Sequence, residues 1–99
     1  MKEQWRLPTV QELLSVIDYT KSEPATQMEG FSNNTYWTST VSKGYPSFAW
    51  IVDLTHGYSN NSFKEFINYV RFVRETPSGL EWSEATKMDW NEAMKHEIQ

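Results

Sequence analysis

The sequence contains no cysteine, and that absence removes disulfide bridging, zinc-thiolate coordination and thiol catalysis together. No apolar run approaches the roughly 20 residues that a membrane-crossing helix needs, and the opening MKEQWRLP lacks the apolar stretch of a secretory signal. The expectation is a cytoplasmic protein with no membrane contact, in which the Asn-x-Ser/Thr acceptors at Asn33 and Asn60 are chance matches. Basic charge is scarce: nine Lys and Arg against 13 Asp and Glu leave a formal charge of −4, with no basic run. There is accordingly no electrostatic footprint for a nucleic-acid backbone. The four glycines are scattered and form neither a GxGxxG nor a Walker pattern, so no phosphate-cradling loop is expected.

What is present in quantity is aromatic surface. Aromatic residues make up 15% of the 99 positions and five are Trp, so a few large side chains supply much of a core in a chain of single-domain length. The whole chain, 1–99, reads as one α+β domain.

Thr9 with Glu12 forms a capping box, and Val10, Leu13, Leu14 and Ile17 follow at helical spacing, which predicts a helix from Val10 to Tyr19. Thr20 to Asn34 is polar and interrupted by Pro24 and Gly30, a loop in which Met28 and Phe31 are the expected buried anchors. TYWTSTV (Thr35 to Val41) and SFAWIVDL (Ser47 to Leu54) read as strands, and a turn at His56 and Gly57 leads to a weaker one from Tyr58 to Lys64. NYVRFVRE alternates as a single strand would, Tyr69, Arg71, Val73 and Glu75 on one face against Val70, Phe72 and Arg74 on the other. GLEW adds a short strand, and a second box, Asp89 with Glu92, opens a helix whose apolar face is Trp90, Ala93, Met94 and Ile98. The expected architecture is a small antiparallel sheet flanked by two helices, with residues 5–75 as its core and 79–98 as a following strand and helix.

Few side chains suggest chemistry. His56 and His96 have no predictable partner for general-base work, no Ser or Thr stands in a nucleophile-elbow pattern, and no enzyme, cofactor or metal is expected. Arg71 and Arg74 are expected to brace the sheet through carboxylates such as Glu75 or Glu81, and the five Trp to pack in the core. The polar-aromatic stretch from Lys43 to Lys64 is the exception. Tyr45, Phe48, Tyr58, Asn60, Asn61 and Phe63, with Lys43 and Lys64 at its limits, fall at loops and strand edges, where rigid rings and adaptable amides suit binding.

The blocks WRLPTVQELLSVID, YWTST, AWIVDLTHGY and YVRFVRE, from Trp5 to Arg74, resemble the Lcl C-terminal domain family. That resemblance implies a fold related to C-type lectins and the formylglycine-generating enzyme, in which loops and an exposed sheet face bind ligands. The cysteine chemistry of the formylglycine-generating relatives has no counterpart here. Glu23 in SEPAT is similar to a lectin calcium loop, but Ala25 replaces the amide that such a loop needs. In the family a segment similar to GLEW...WNEAMKH precedes the WRLPT block, whereas here Gly79 to His96 follows the sheet. This implies a circular permutation, EIQ and MKEQ being halves of a cut connection, or a tandem array cut out of register. Either way the apolar face after Asp89 should meet the Trp5 segment: within one chain, bringing Met1 and Gln99 together, or between chains as a segment-swapped homodimer.

Two functions of different class follow from the resemblance and the missing chemistry. One is a non-catalytic module recognising a protein or glycan ligand. The other is a phage-encoded antagonist of a bacterial defence system, which binds an immune protein or sequesters a nucleotide-like small molecule with Lys43, Lys64, Arg71 and Arg74 as donors.

Overall fold

The first helix, α1 (Val10–Leu14), begins where its cap requires. The Thr9 hydroxyl accepts the Glu12 N–H at 3.1 Å and Glu12 Oε1 accepts the Thr9 N–H at 2.9 Å, so two otherwise orphaned donors are satisfied. In the computed structural model, which describes residues 4–96, α1 stops well short of Tyr19. The N–H groups of Val16 and Ile17 reach back three residues, to the carbonyls of Leu13 and Leu14, and the Asp18 N–H bonds Ala25 O at 2.8 Å. Asp18 Oδ1 then takes both the N–H and the hydroxyl of Thr20. A carboxylate that bonds its own backbone two residues on competes directly with helix propagation.

Among the described residues seven strands follow the long loop: β1 (Thr35–Val41), β2 (Phe48–Asp53), β3 (Tyr58–Phe63), β4 (Asn68–Val70), β5 (Val73–Thr76), β6 (Gly79–Trp82) and β7 (Thr86–Met88), before α2 (Trp90–Lys95). The main sheet has the order β3-β2-β1-β4-β7, while β5 and β6 form a separate hairpin. The expected antiparallel sheet is in fact mixed, because β4 enters on the far side of β1 and pairs with it in parallel, Tyr36 opposite Tyr69.

NYVRFVRE is two strands in two sheets rather than one. Between them the Phe72 N–H donates to Ser83 Oγ at 2.8 Å and Phe72 O accepts the Ser83 N–H at 2.8 Å, so Ser83 replaces the ladder partner where the chain changes sheet. Val70, Arg71, Phe72 and Val73 are all buried. The alternation therefore does not separate a dry face from a wet one.

Both faces of the main sheet are covered. Pairing sets Trp37 beside Ile51 on one face and Tyr36 beside Val52 on the other. The first face packs Trp37, Ala49, Ile51 and Val70 with Leu7, Phe72 and Ala93; the second packs Tyr36 and Val52 with Leu13, Phe31 and Leu54. Burial on both sides is why SFAWIVDL is nearly continuous in apolar character. Phe31 anchors the long loop as expected, whereas Met28 lies in the exposed run 27–30 and is not an anchor.

The N-terminal segment and α2 meet within one chain. Trp5, Trp90 and Met94 pack on the cluster that contains Leu7 and Ala93. Arg6 and Val73 exchange backbone hydrogen bonds at 2.9 and 2.7 Å, and the rings of Phe72 and His96 lie 5.1 Å apart. Trp90 fixes α2 twice, through its Nε1–H to Thr38 O at 2.9 Å and its backbone N–H to Lys64 O at 2.9 Å. Ile98 and the pair Met1 and Gln99 fall outside the described residues.

Candidate functional site

The loop between β1 and β2 is held by its own backbone. The Ser42 N–H bonds Phe48 O at 3.1 Å, the Tyr45 N–H bonds Ser42 O at 3.1 Å and the Phe48 N–H bonds Tyr45 O at 2.9 Å, with Gly44 at a φ of 82° supplying the turn. β3 lies at the sheet edge, and its register sets Phe63 opposite Phe48. A row of rings results. Tyr45 stacks towards Phe48 at 6.3 Å, Phe48 meets Phe63 edge-on at 4.4 Å, and Phe63 contacts Phe66 at 5.4 Å. Gly44, Tyr45, Pro46, Ser47, Phe48 and Phe63 line a cleft of about 260 Å³. Exposure is 64% for Tyr45, 44% for Phe63, 56% for Phe66 and 61% for Ile67. Phe66 and Ile67 lie just beyond the stretch read from the sequence; the aromatic next to Phe63 in KEFI was the available signal.

The other candidates do not all join this row. Tyr58 stands at the far end of β3, five residue steps or about 17 Å from Phe63 and on the opposite face. Its ring stacks on His56 at 6.2 Å. A hydrogen bond to the Asp53 carboxylate raises the Tyr58 pKa above its ordinary value. Burial pushes Asp53 up, but the Thr55 N–H, the Tyr58 hydroxyl and His56 outweigh it and hold the carboxyl low. Asn60 Oδ1 accepts the Asn61 N–H at 2.8 Å, and Asn61 Oδ1 accepts the Ser42 hydroxyl at 2.8 Å. Both amides are exposed, yet their oxygens already serve the fold.

Three of the four cations considered for a nucleotide have structural partners. Lys64 Nζ lies 4.4 Å over the Trp90 ring. Arg74 bonds Glu81 at 2.8 Å, as expected, and covers Trp5 at 4.7 Å. Among the described residues Arg71 has no carboxylate partner, contrary to expectation: its Nε donates to Ser83 O at 2.6 Å, its Nη1 to Glu29 O at 3.0 Å, and its guanidinium lies 4.5 Å over Phe31. The chain has turned inward at this position, towards carbonyls and rings; burial lowers the Arg71 pKa. Lys43 is exposed beside the ring row.

A shallower concavity of about 540 Å³ lies over Lys21, Ser22, Pro24, Thr26 and Gln27. Glu23 there is joined to Pro24 by a cis peptide bond. Among the described residues no three His, Asp or Glu side chains converge as metal ligands would, and no helix is long and apolar enough to cross a membrane. A family model, the Lcl C-terminal domain, matches residues 1–74. No curated protein and no solved structure matches the chain.

Proposed function

The chain belongs to the Lcl C-terminal domain family, and from that premise we propose that it is a non-catalytic recognition module, binding a protein or glycan through the aromatic end of its sheet. One observation carries the reading. Tyr45, Phe48, Phe63 and Phe66 form a continuous row of ring contacts in which Phe48 is half-buried while Tyr45, Phe63 and Phe66 stay exposed. Contiguous exposed rings of this kind mark interaction surfaces, whereas isolated exposed apolar residues do not. The rings sit on strand ends and a loop closed by backbone hydrogen bonds, so little side-chain and loop freedom remains to be lost on binding. The binding surface thus shrinks from the whole Lys43 to Lys64 stretch to one end of it, and extends to Phe66 and Ile67.

The antagonist reading uses the same patch if it acts by covering an immune protein. Its nucleotide form has less support, since Lys64, Arg71 and Arg74 are engaged with Trp90, backbone carbonyls and Glu81. For the fold, we infer a C-type lectin-like domain in permuted order. Its support is that the family match ends at residue 74 while α2, beyond it, completes the core around Leu7.

The test is a ligand screen with a glycan array and immobilised host lysate, comparing the native chain with Tyr45→Ala and Phe63→Ala. Ligands retained by the native chain and lost by both variants, at unchanged denaturation midpoints, are the expected result. Retention unaffected by either substitution would remove this site.

A further inference from the structure

Beyond that reading, and at a different surface, we propose that the outer edge of β6 takes an extended segment of a partner protein as an added antiparallel strand, with a Lys or Arg of that segment opposite Glu81. The pairing of β5 with β6 carries the inference. Arg6 and Val73 exchange backbone hydrogen bonds on the far side of β5, so Val73 turns away from β6 and forms a non-hydrogen-bonded pair with Trp82. The alternation then runs along the hairpin: Arg74 with Glu81 and Thr76 with Gly79 are bonded pairs, and Glu75 with Leu80 is not. The N–H and C=O groups of Leu80 and Trp82 therefore all point out of the hairpin, and among the described residues nothing is hydrogen-bonded to them. Gly79, Leu80 and Glu81 are exposed, so the edge is open to a second chain.

The edge at β3 differs. The Lys64 N–H bonds Ser47 O at 3.0 Å, which by the same alternation turns the backbone groups of Ser59, Asn61 and Phe63 outward. Two of these are already taken: the Asn61 N–H by Asn60 Oδ1, and Phe63 O by the Phe66 N–H at 3.0 Å. β3 is thus blunted by its own chain, whereas β6 is left as a template for strand addition.

Glu81 decides the occupant. Pairing with a second copy fills every open group only when β6 meets β6 about a two-fold axis at Glu81, with Leu80 of each copy bonded to Trp82 of the other. That geometry sets Glu81 directly opposite Glu81, and like charges so placed are destabilising. A different strand with Lys or Arg at that position replaces the repulsion by attraction. Arg74 Nε holds Glu81 Oε1 at 2.8 Å, so among the described residues Glu81 Oε2 is left for the incoming cation. From Val73 to Glu84 the carboxylates Glu75, Glu81 and Glu84 outnumber the single cation, Arg74. The residues flanking that Lys or Arg lie opposite Leu80 and Trp82, on the face where the Leu80 side chain is exposed, and apolar side chains suit them.

The probes are three capped synthetic peptides: Thr-Ser-Val-Lys-Val-Ser-Thr, the same sequence with Glu in place of Lys, and the Lys peptide with both valines N-methylated. Each is titrated into the full chain while backbone amide resonances are followed by NMR. The Lys peptide should shift the Leu80 and Trp82 amides saturably, slow their exchange with solvent, and bind about fivefold more tightly than the Glu peptide. The N-methylated peptide, which lacks the donors that face β6, should not bind. Glu81→Lys should reverse the preference at an unchanged denaturation midpoint, and Phe63→Ala, in the ring row, should leave all three peptide results as they are. Equal binding of the Lys and Glu peptides, retention of the N-methylated one, β6 amides that no peptide moves, or a native chain that pairs with itself through those amides overturns the proposal. Each of these outcomes leaves the reading of the ring row intact.

Discussion

Arg71 shows how far one residue's role depends on where the chain turns. It shares the pattern Val-Arg-x-Val-Arg with Arg74, but Arg74 meets Glu81 at the surface, while Arg71, 8% exposed, ties Glu29 to Ser83. Glycine stands at position 30 because a Cβ there would lie 2.6 Å from Arg71 Nη1, on a backbone with φ at 88°. Arg71→Met should strand two carbonyls and lower stability by about 3 kcal/mol, from roughly 1–3 kcal/mol per unsatisfied buried group. Arg71→Lys should recover only part, since an ammonium does not reproduce the planar fork; urea denaturation measures both. Titration supplies a second residue-scale test. Hydrogen bonding to Arg6, opposed by burial, depresses the Glu12 pKa, and the Thr20 hydroxyl, the Thr20 N–H and Gln27 lower Asp18 to about 2. Both carboxylates are more acidic folded than unfolded, so the stability they contribute is complete above about pH 4–5 and disappears as pH falls towards 2. The urea midpoint should drop across that window, and less steeply in Glu12→Gln.

At the scale of elements, local signals set where helices begin but not how long they run. The Thr9 box was readable because it involves residues three apart. The end of α1 was not, because it depends on Asp18 bonding Thr20 and on Ala25 reaching back to Asp18. With only five residues, α1 depends heavily on its cap. Thr9→Ala should lower stability by about 1 kcal/mol, measurable in the same denaturation series, with Thr9→Ser close to the native value. Strands β1 to β3 were legible from β-branched and aromatic runs and from the Gly57 turn. The break in NYVRFVRE was hidden because Ser83, more than ten residues away, supplies the bonds that let Phe72 leave the ladder.

For the whole molecule, the arrangement that matters most is α2 closing on the N-terminal segment. The turn between β5 and β6, at exposed Pro77 and Ser78, lies away from that contact. A chain opened there, with Gln99 joined to Met1, takes the order that the permutation proposal assigns to the family. It is expected to fold cooperatively with a circular dichroism spectrum like that of the native chain; failure to fold would remove the permutation reading. The candidate surface likewise belongs to this scale. Tyr45, Phe48, Phe63 and Phe66 are separated by loops, and they form one row only because β2 pairs with β3 in a register that sets Phe48 against Phe63. The same register carries Tyr58 to the other end and the other face, so a contiguous stretch of sequence does not make a contiguous site.

By itself the sequence determined the helix starts, the first three strands, the turn at Gly57 and the family, because caps, turns and alternation act over a few residues. Only the tertiary structure decided that the sheet is mixed, that β4 and β5 separate, that Arg71 faces carbonyls, and which rings share a surface. Those depend on pairing and burial between residues far apart in the chain, where a one-residue change of register moves every side chain of a strand to the other face of the sheet.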